Sequence, residues 1–232
     1  MKDIFYFENE NDLQKVIENL KVKINKRREG REQSSLDLWV LKHYLPTITN
    51  EIDFPVRIYQ AEESEFPDFV LETNNTKFGI EITEATSEDY QKLLSLMSKT
   101  PNSMIDLGHF DYRKSYNNEY TFEELKKMIK PKGSKLGGYG YNGYICERYI
   151  SIYSKDAAKN KVDIIMTWNK PYPVRIVLYE NTPKVDCHFN KLIDYLNENI
   201  INNDELNNYR VDIVMSNGAT ILKSIYNFAK SE

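Results

Sequence analysis

The hydrophobic and polar positions of this chain follow two periods, one typical of helices and one typical of strands. Apolar residues recur every three or four positions over residues 12–26 and again up to about residue 45, which predicts two helices, the second ended by Pro46. Apolar runs and period-two alternation predict strands over residues 54–60, 66–72 and 77–83. The last two strands are joined by Thr-Asn-Asn-Thr, whose asparagines suit a hairpin turn.

The second half of the chain mixes helical and strand patterns. Helices are predicted over residues 87–98, 145–160 and 186–200, and a short one opens at Thr121 with a Thr121–Glu124 capping box and is ended by Pro131. Strands are predicted over residues 174–180 and 209–215, with a tight turn leading into residues 220–225. Residues 132–144, rich in glycine and tyrosine, predict a mobile loop that could stack on bases. This order predicts an α/β protein of one domain, 1–232, with an insertion at 87–144.

The composition of the chain argues against a membrane protein, a protein that coats nucleic acid nonspecifically and a zinc-binding protein. The chain has no run of about 20 apolar residues and an acidic N-terminus, so we expect no membrane partner and a cytoplasmic protein. A net charge of −4 argues against nonspecific coating of nucleic acid but permits a local basic groove. Cys146 and Cys187 lack metal-binding spacing, as do the three histidines, so we expect reduced thiols and no zinc site.

Two acids interrupt the apolar runs of the predicted hairpin. By the period-two rule Phe78, Ile80 and Ile82 share one face of their strand, and Glu81 lies on the other with Gly79 and Thr83. Asp68 follows Pro67 at the start of the preceding strand. Pairing across the turn brings paired residues to about 5 Å, so Asp68 and Glu81 are expected to meet.

Two carboxylates this close repel each other, and a divalent cation relieves the repulsion. Mg²⁺ prefers carboxylate oxygen and keeps several waters, and Mn²⁺ can substitute for it. We therefore expect Asp68 and Glu81 to bind Mg²⁺, with the backbone oxygen of Ile82 or a neighbour completing the shell. Such a site suits hydrolysis of a phosphodiester.

These residues resemble the PD-(D/E)XK nuclease superfamily of restriction-endonuclease-like proteins. Pro67-Asp68 stands for the PD, and Glu81-Ile82-Thr83 for the (D/E)-x-K. The resemblance covers about residues 32–181 and implies a core of helix, three-strand meander, helix and strand, with a helical insertion between the third strand and the second core helix. It also implies a metal-dependent nuclease whose partner is nucleic acid, DNA by analogy, with a homodimer left open.

The chain departs from the superfamily pattern at Thr83, where a lysine is expected. Members with another residue there are thought to take a cation from the following helix. Arg148, Ile152, Lys155 and Lys159 form one stripe of residues 145–160. We expect Lys155 to replace the motif lysine, with Lys159 in reserve.

The superfamily resemblance also implies an acid on the first core helix. Glu32 precedes Leu36 by four positions and Trp39 by seven, so a continuous helix places it on their inward face. Ser34 or Ser35 as N-cap would leave Glu32 outside the helix. Glu29 and Asp37 are weaker choices.

Three functional readings remain open from the sequence. The first is the active nuclease, and the second is a nuclease-like fold without activity that serves as a binding or assembly module in a defence or phage-related system. In the third, the protein is an α/β interaction protein in which Asp68 is a turn residue, Glu81 faces solvent, and Lys155 and Glu32 are surface charges. The active nuclease is the leading reading, and the Thr83 departure and the acidic pI favour the second.

Overall fold

A computed structural model describes residues 1–22, 33–62, 66–137, 145–168, 172–180, 188–217 and 220–227. The helices in these ranges are α1 (Glu10–Asn19), α2 (Gln33–Tyr44), α3 (Glu88–Ser98), α4 (Tyr112–Tyr116), α5 (Phe122–Lys127), α6 (Ile145–Thr167) and α7 (Phe189–Leu196). The strands are β1 (Lys2–Phe7), β2 (Val56–Gln60), β3 (Phe69–Glu72), β4 (Lys77–Glu84), β5 (Ser103–Ile105), β6 (Ile129–Pro131), β7 (Val174–Glu180), β8 (Arg210–Asn217) and β9 (Thr220–Asn227). The mixed α/β class expected from the sequence is confirmed.

One mixed sheet of seven strands organises the described residues, in the order β1-β2-β3-β4-β7-β8-β9. Strands β1 to β4 pair antiparallel, as does β9 with β8. Strand β7 runs parallel to both β4 and β8. Strand β4 is therefore central: it ends the antiparallel meander on one edge and begins the parallel part of the sheet on the other.

The two faces of β4 meet different layers, as the period-two pattern predicts. Phe78, Ile80 and Ile82 are buried in a core that includes Leu36 and Val40 of α2. On the other face α6 and α7 bury a second core, built from residues of β7, β8 and the two helices: Ile150, Ala158, Ile176, Leu178, Leu192 and Ile213. A side chain of β4 that points away from α2 therefore points towards α6.

Residues between β4 and α6 form a small layer with a core of its own. This core contains Leu93 of α3, Leu125 of α5 and Phe110, which precedes α4. It lies beside the two-stranded sheet of β5 and β6. The capping box is present: the Thr121 hydroxyl accepts the Glu124 N–H at 3.3 Å, and Glu124 Oε2 accepts the Thr121 N–H at 2.9 Å.

Several element boundaries differ from the sequence prediction. Strand β1 was not predicted, because it is an edge strand whose side chains are mostly exposed and lack an apolar alternation. Pro131 does not end a helix; α5 ends at Lys127 and Pro131 belongs to β6. Helix α6 continues to Thr167, well past residue 160, because Val162 still packs on the second core.

Some predicted features lie outside the described residues: Glu32, Glu29, Cys187 and residues 138–144 of the glycine- and tyrosine-rich loop. No helix in the described part of the chain combines the length and the apolar character needed to cross a bilayer.

Gly79 explains how the Pro67-Asp68 segment packs on β4. A Cβ at Gly79 would lie 2.6 Å from Pro67 Cγ and 3.1 Å from Cγ2 of Val174, on β7. The proline ring thus occupies the space that any other residue at position 79 would fill. Because Asp68 follows Pro67 directly, this close approach fixes the distance between Asp68 and β4.

We expect Gly79→Ala to lower the free energy of unfolding by about 1–3 kcal/mol, the usual cost of overpacking a core. Urea unfolding measures it. If crowding against Pro67 is the cause, the change should cost clearly less in a Pro67→Ala background, where Cγ is absent. Equal costs in both backgrounds would show that Pro67 does not set the requirement for glycine.

Candidate functional site

Asp68 and Glu81 meet where the pairing of β3 with β4 ends. The last paired residues at this end are Phe69 and Ile80. Beyond them, the Asp68 N–H donates to Glu81 Oε2 at 3.2 Å, and Asp68 Oδ2 accepts the Ile82 N–H at 2.7 Å. The two carboxylates thus continue the strand pairing through side chains, and the structure brings both predicted acids together.

The backbone of Ile82 faces the same place. The N–H and C=O of one strand residue point to the same edge of the strand. Because the Ile82 N–H reaches Asp68, the Ile82 carbonyl also points to the edge that β3 has left. The backbone oxygen predicted as a ligand therefore lies on the correct side of β4, beside the carboxylates.

Lys161 supplies the cation at these acids, and the sequence analysis missed it. Its Nζ donates to Glu81 Oε1 in a close ion pair, with the Glu81 side chain 6% exposed. Residue 161 follows the buried Ala158 by three positions and precedes the buried Val162, so it borders the buried stripe of α6. Extending the predicted helix past residue 160 would have added Lys161 to the candidates without selecting it.

The structure does not bring Lys155 to the acids. Lys155 Nζ lies 3.9 Å from Asp156 Oδ1, and among the described residues it forms no ion pair with Asp68 or Glu81. Lys155 and Lys161 are six positions apart, which corresponds to about 9 Å along the helix axis and about 120° around it. The reserve candidate, Lys159, pairs with Glu205. The stripe on which both were chosen is not the buried face, which includes the small residues Ser151, Ser154 and Ala158.

Asp37 of α2 is the acid of the first core helix that lies near the site. It is 6% exposed, and its Oδ1 accepts a hydrogen bond from Gln33 Nε2 at 2.7 Å. Its charge helps to raise the pKa of Asp68. The preferred candidate, Glu32, lies outside the described residues, and the acid that the structure places near Asp68 is Asp37, one of the weaker choices.

The site carries more negative than positive charge. Burial, then the charge of Glu81, raises the pKa of Asp68 from 3.8 to about 7, although the Ile82 N–H and Lys161 favour the ionised form. Lys161 pairs with Glu81, whereas Asp68 forms no ion pair with another described residue. A further cation would therefore stabilise the ionised site.

The donor atoms fit a hard divalent cation. Carboxylate oxygens of Asp68 and Glu81 and the Ile82 carbonyl are the ligands that Mg²⁺ and Mn²⁺ prefer. Among the described residues no group of three or more His, Cys, Asp or Glu side chains could hold a metal ion. An ion here would consequently keep several waters, which is the usual state of Mg²⁺ in proteins.

A groove of about 450 Å³ opens beside the site. Its lining includes Thr83, Lys161, Tyr116 and the acids Glu84, Glu88 and Asp156. Thr83 and Lys161 both line this groove, so a hydroxyl from β4 and a lysine from α6 border the same space. The acids make the groove itself unfavourable for a polyanion.

No protein-family model, curated protein or solved structure matches the chain. The assignment of the site therefore depends on its own geometry and on the resemblance of its residues to a nuclease motif.

The raised pKa of Asp68 predicts a pH-dependent stability. Between about pH 4 and about pH 7 the folded protein keeps a proton that the unfolded chain has lost, so the free energy of unfolding should fall as pH rises through this window. Asp68→Asn, which is neutral throughout, should remove this contribution. Urea unfolding in EDTA, from about pH 4 to about pH 8, measures the difference between variant and wild type.

The matched control is Asp163→Asn, which changes an exposed carboxylate on α6 and should keep the wild-type dependence. If Asp68→Asn and wild type lose stability in parallel across the window, Asp68 does not hold a proton in the folded state.

Proposed function

We propose that this protein is a Mg²⁺-dependent endonuclease of the PD-(D/E)XK type that hydrolyses phosphodiester bonds in DNA. The observation that carries the proposal is the convergence of the Asp68 and Glu81 carboxylates beside Lys161 Nζ at the end of β3. Two acids and one cation at a strand edge are the groups that the resembled motif supplies. Here the cation comes from α6 because position 83 is threonine.

The residues divide the chemistry between them. Asp68, Glu81 and the Ile82 carbonyl would hold the ion, and Asp37 adds negative charge behind Asp68. A bound divalent ion supplies Lewis-acid activation of the phosphodiester and lowers the pKa of water. Lys161, whose Nζ lies at Glu81 and faces the groove, is placed to stabilise negative charge on a phosphate and to orient an attacking water.

The element order supports a restriction-endonuclease-like core. Helix α2, the meander β2-β3-β4, helix α6 and strand β7 follow the order that the resemblance implies, and the layer of α3 to α5 lies within it as an insertion. The fold alone does not define a function, so this support is secondary to the site.

A second candidate is a nuclease-like fold that binds without cleaving. The observations that favour it are Thr83, the ion pair that occupies Glu81 Oε1, and the acids Glu84, Glu88 and Asp156 in the groove. Under this alternative Lys161 neutralises Glu81 permanently, and no ion replaces it.

Asp68→Asn and Glu81→Gln should each lower Mg²⁺-dependent DNA cleavage by roughly 100-fold or more, because each removes a charged metal ligand worth several kcal/mol. Cleavage of supercoiled plasmid, with chelator added as a control, measures this. Asp163→Asn should cleave as wild type. Undiminished cleavage by either site variant would overturn the assignment.

Lys161→Gln should lower cleavage by roughly 100- to 1,000-fold, the usual effect of losing one donor to a developing negative charge. Lys161→Arg should keep the ion pair and part of the activity.

Lys155→Gln distinguishes the lysine expected from the sequence, Lys155, from the lysine found at Glu81, Lys161. This variant should cleave as wild type. Loss of cleavage with Lys155→Gln, but not with Lys161→Gln, would restore the assignment made from the sequence. Thermal melts show whether the unpaired Glu81 unfolds the Lys161→Gln variant.

Titration calorimetry with Mn²⁺ separates the two candidate functions. The nuclease should bind the ion through Asp68, so the heat should disappear in Asp68→Asn, and binding should raise the melting temperature of wild type alone. A folded wild-type protein that binds no Mn²⁺ and no Mg²⁺ favours the binding module.

A further inference from the structure

The groove beside Asp68 and Glu81 cannot supply the affinity for a polyanion. Its charged lining is one lysine, Lys161, against the acids Glu84, Glu88 and Asp156. Attraction to the phosphate backbone provides essentially all of nonspecific nucleic-acid affinity and needs several lysines or arginines. If the protein cleaves DNA, those cations must lie on another surface.

A concave cluster of lysines lies on the layer between β4 and α6. A cavity of about 460 Å³, called here the lysine cavity, is lined by His109, Lys114, Tyr120, Glu124, Lys127 and Lys130. Lys127 is exposed and Lys130 half-buried, and within the described residues neither forms an ion pair. Their ammonium groups are therefore available to an anion.

The floor of the lysine cavity is held in place by polar contacts. Lys114 Nζ lies 2.7 Å from Glu124 Oε1 and 4.8 Å from the centre of the Tyr120 ring. The Tyr120 hydroxyl donates to the His109 carbonyl at 3.1 Å and accepts the Asp111 N–H at 2.7 Å. Lys114 is thus neutralised by Glu124, which leaves Lys127 and Lys130 as the uncompensated cations.

The sequence around this cavity is unusual for an acidic chain. Residues 125–146 contain five lysines and no aspartate or glutamate, although the whole protein carries −4. A local positive surface on an acidic protein attracts polyanions to that surface and not elsewhere.

The lysine cavity and the groove lie on neighbouring sides of α4. Lys114 lines the cavity, while Ser115 and Tyr116 line the groove. Consecutive helical residues point about 100° apart on a helix about 10 Å across. Duplex DNA carries one charge per about 1.7 Å of its axis, so we expect one duplex to present phosphates both to Lys161 and to the cavity on the neighbouring side of α4.

We propose that the lysine cavity binds the phosphodiester backbone of the nucleic acid whose cleavage is proposed above, with Lys127 and Lys130 as the phosphate-binding residues. The proposal rests on the proposed function for the identity of the polyanion. A phosphodiester backbone is the favoured occupant because the lysine cavity borders α4, the same helix that borders the groove of the proposed metal site. Lysine binds phosphate as a point charge without reading sequence, so this contact would position DNA and not select it.

The test is the salt dependence of DNA binding by the 232-residue chain in EDTA, where no cleavage occurs. Fluorescence anisotropy with a labelled duplex of about 25 base pairs is measured from about 25 to about 200 mM salt. For Lys127→Gln/Lys130→Gln, the slope of log K against log salt should fall by about 2, and affinity near 100 mM salt should fall roughly 10- to 100-fold. Lys127→Arg/Lys130→Arg should retain both.

The matched control is Lys2→Gln/Lys15→Gln, which removes two exposed lysines of β1 and α1 and gives the same net charge. It should keep the wild-type slope. A slope for Lys127→Gln/Lys130→Gln equal to that of wild type or of this control would overturn the proposal, as would a wild-type protein that binds no duplex.

Other outcomes distinguish a failure of the lysine cavity as a DNA-binding surface from a failure of the proposed nuclease activity. DNA binding that depends on Lys127 and Lys130, without cleavage in Mg²⁺, supports the lysine cavity and counts against the nuclease. If wild type cleaves DNA in Mg²⁺ but Lys127→Gln/Lys130→Gln keeps the wild-type salt slope, the result supports the nuclease and counts against the lysine cavity. Binding of vesicles with roughly 30 mol% phosphatidylserine that depends on both lysines, without DNA binding, would overturn the proposal in favour of a membrane surface.

Discussion

A buried carboxylate, Glu81, and a half-buried one, Asp68, at one strand edge impose much of the arrangement around them. An ionised carboxylate that leaves water must find hydrogen-bond donors or a cation, or its pKa rises. Asp68 receives the Ile82 N–H, and Glu81 receives the Asp68 N–H and Lys161. These contacts require that β3 end at Phe69, that Pro67 approach Gly79, and that α6 cross β4 at Lys161. The packing of the sheet and the position of α6 therefore both determine the contacts of Asp68 and Glu81.

Helix α6 is positioned by contacts of its buried face and by a contact just beyond its C-terminal end. Small residues on its buried stripe let it lie close to the sheet, and the Trp168 ring just beyond its end meets Phe66 edge to face, at 5.1 Å between ring centres. Phe66 precedes Pro67 and Asp68, so one short segment contacts both the strand and the helix. The segment that carries Asp68 is thereby packed both on β4 and on the residue that follows α6.

The charges of the molecule are divided between two surfaces. The acids concentrate at the proposed metal site and its groove, whereas Lys127 and Lys130, which form no ion pair among the described residues, line a separate cavity on a neighbouring side of α4. A site that needs a divalent cation must be negative, whereas a surface that binds a polyanion must be positive. Under the proposed function, keeping the two apart lets the protein hold the ion and the phosphate backbone without either charge cancelling the other.

The sequence by itself determined the hairpin, the inward face of Phe78, Ile80 and Ile82, and the meeting of Asp68 with Glu81, because strand period and turn length are local properties. Only the tertiary structure decided which lysine reaches Glu81 and which acid of α2 lies nearby. Helical period gives a residue's angle on its own helix, but not how far the helix slides along the sheet. That offset is set by long-range packing, and it selects Lys161 over Lys155.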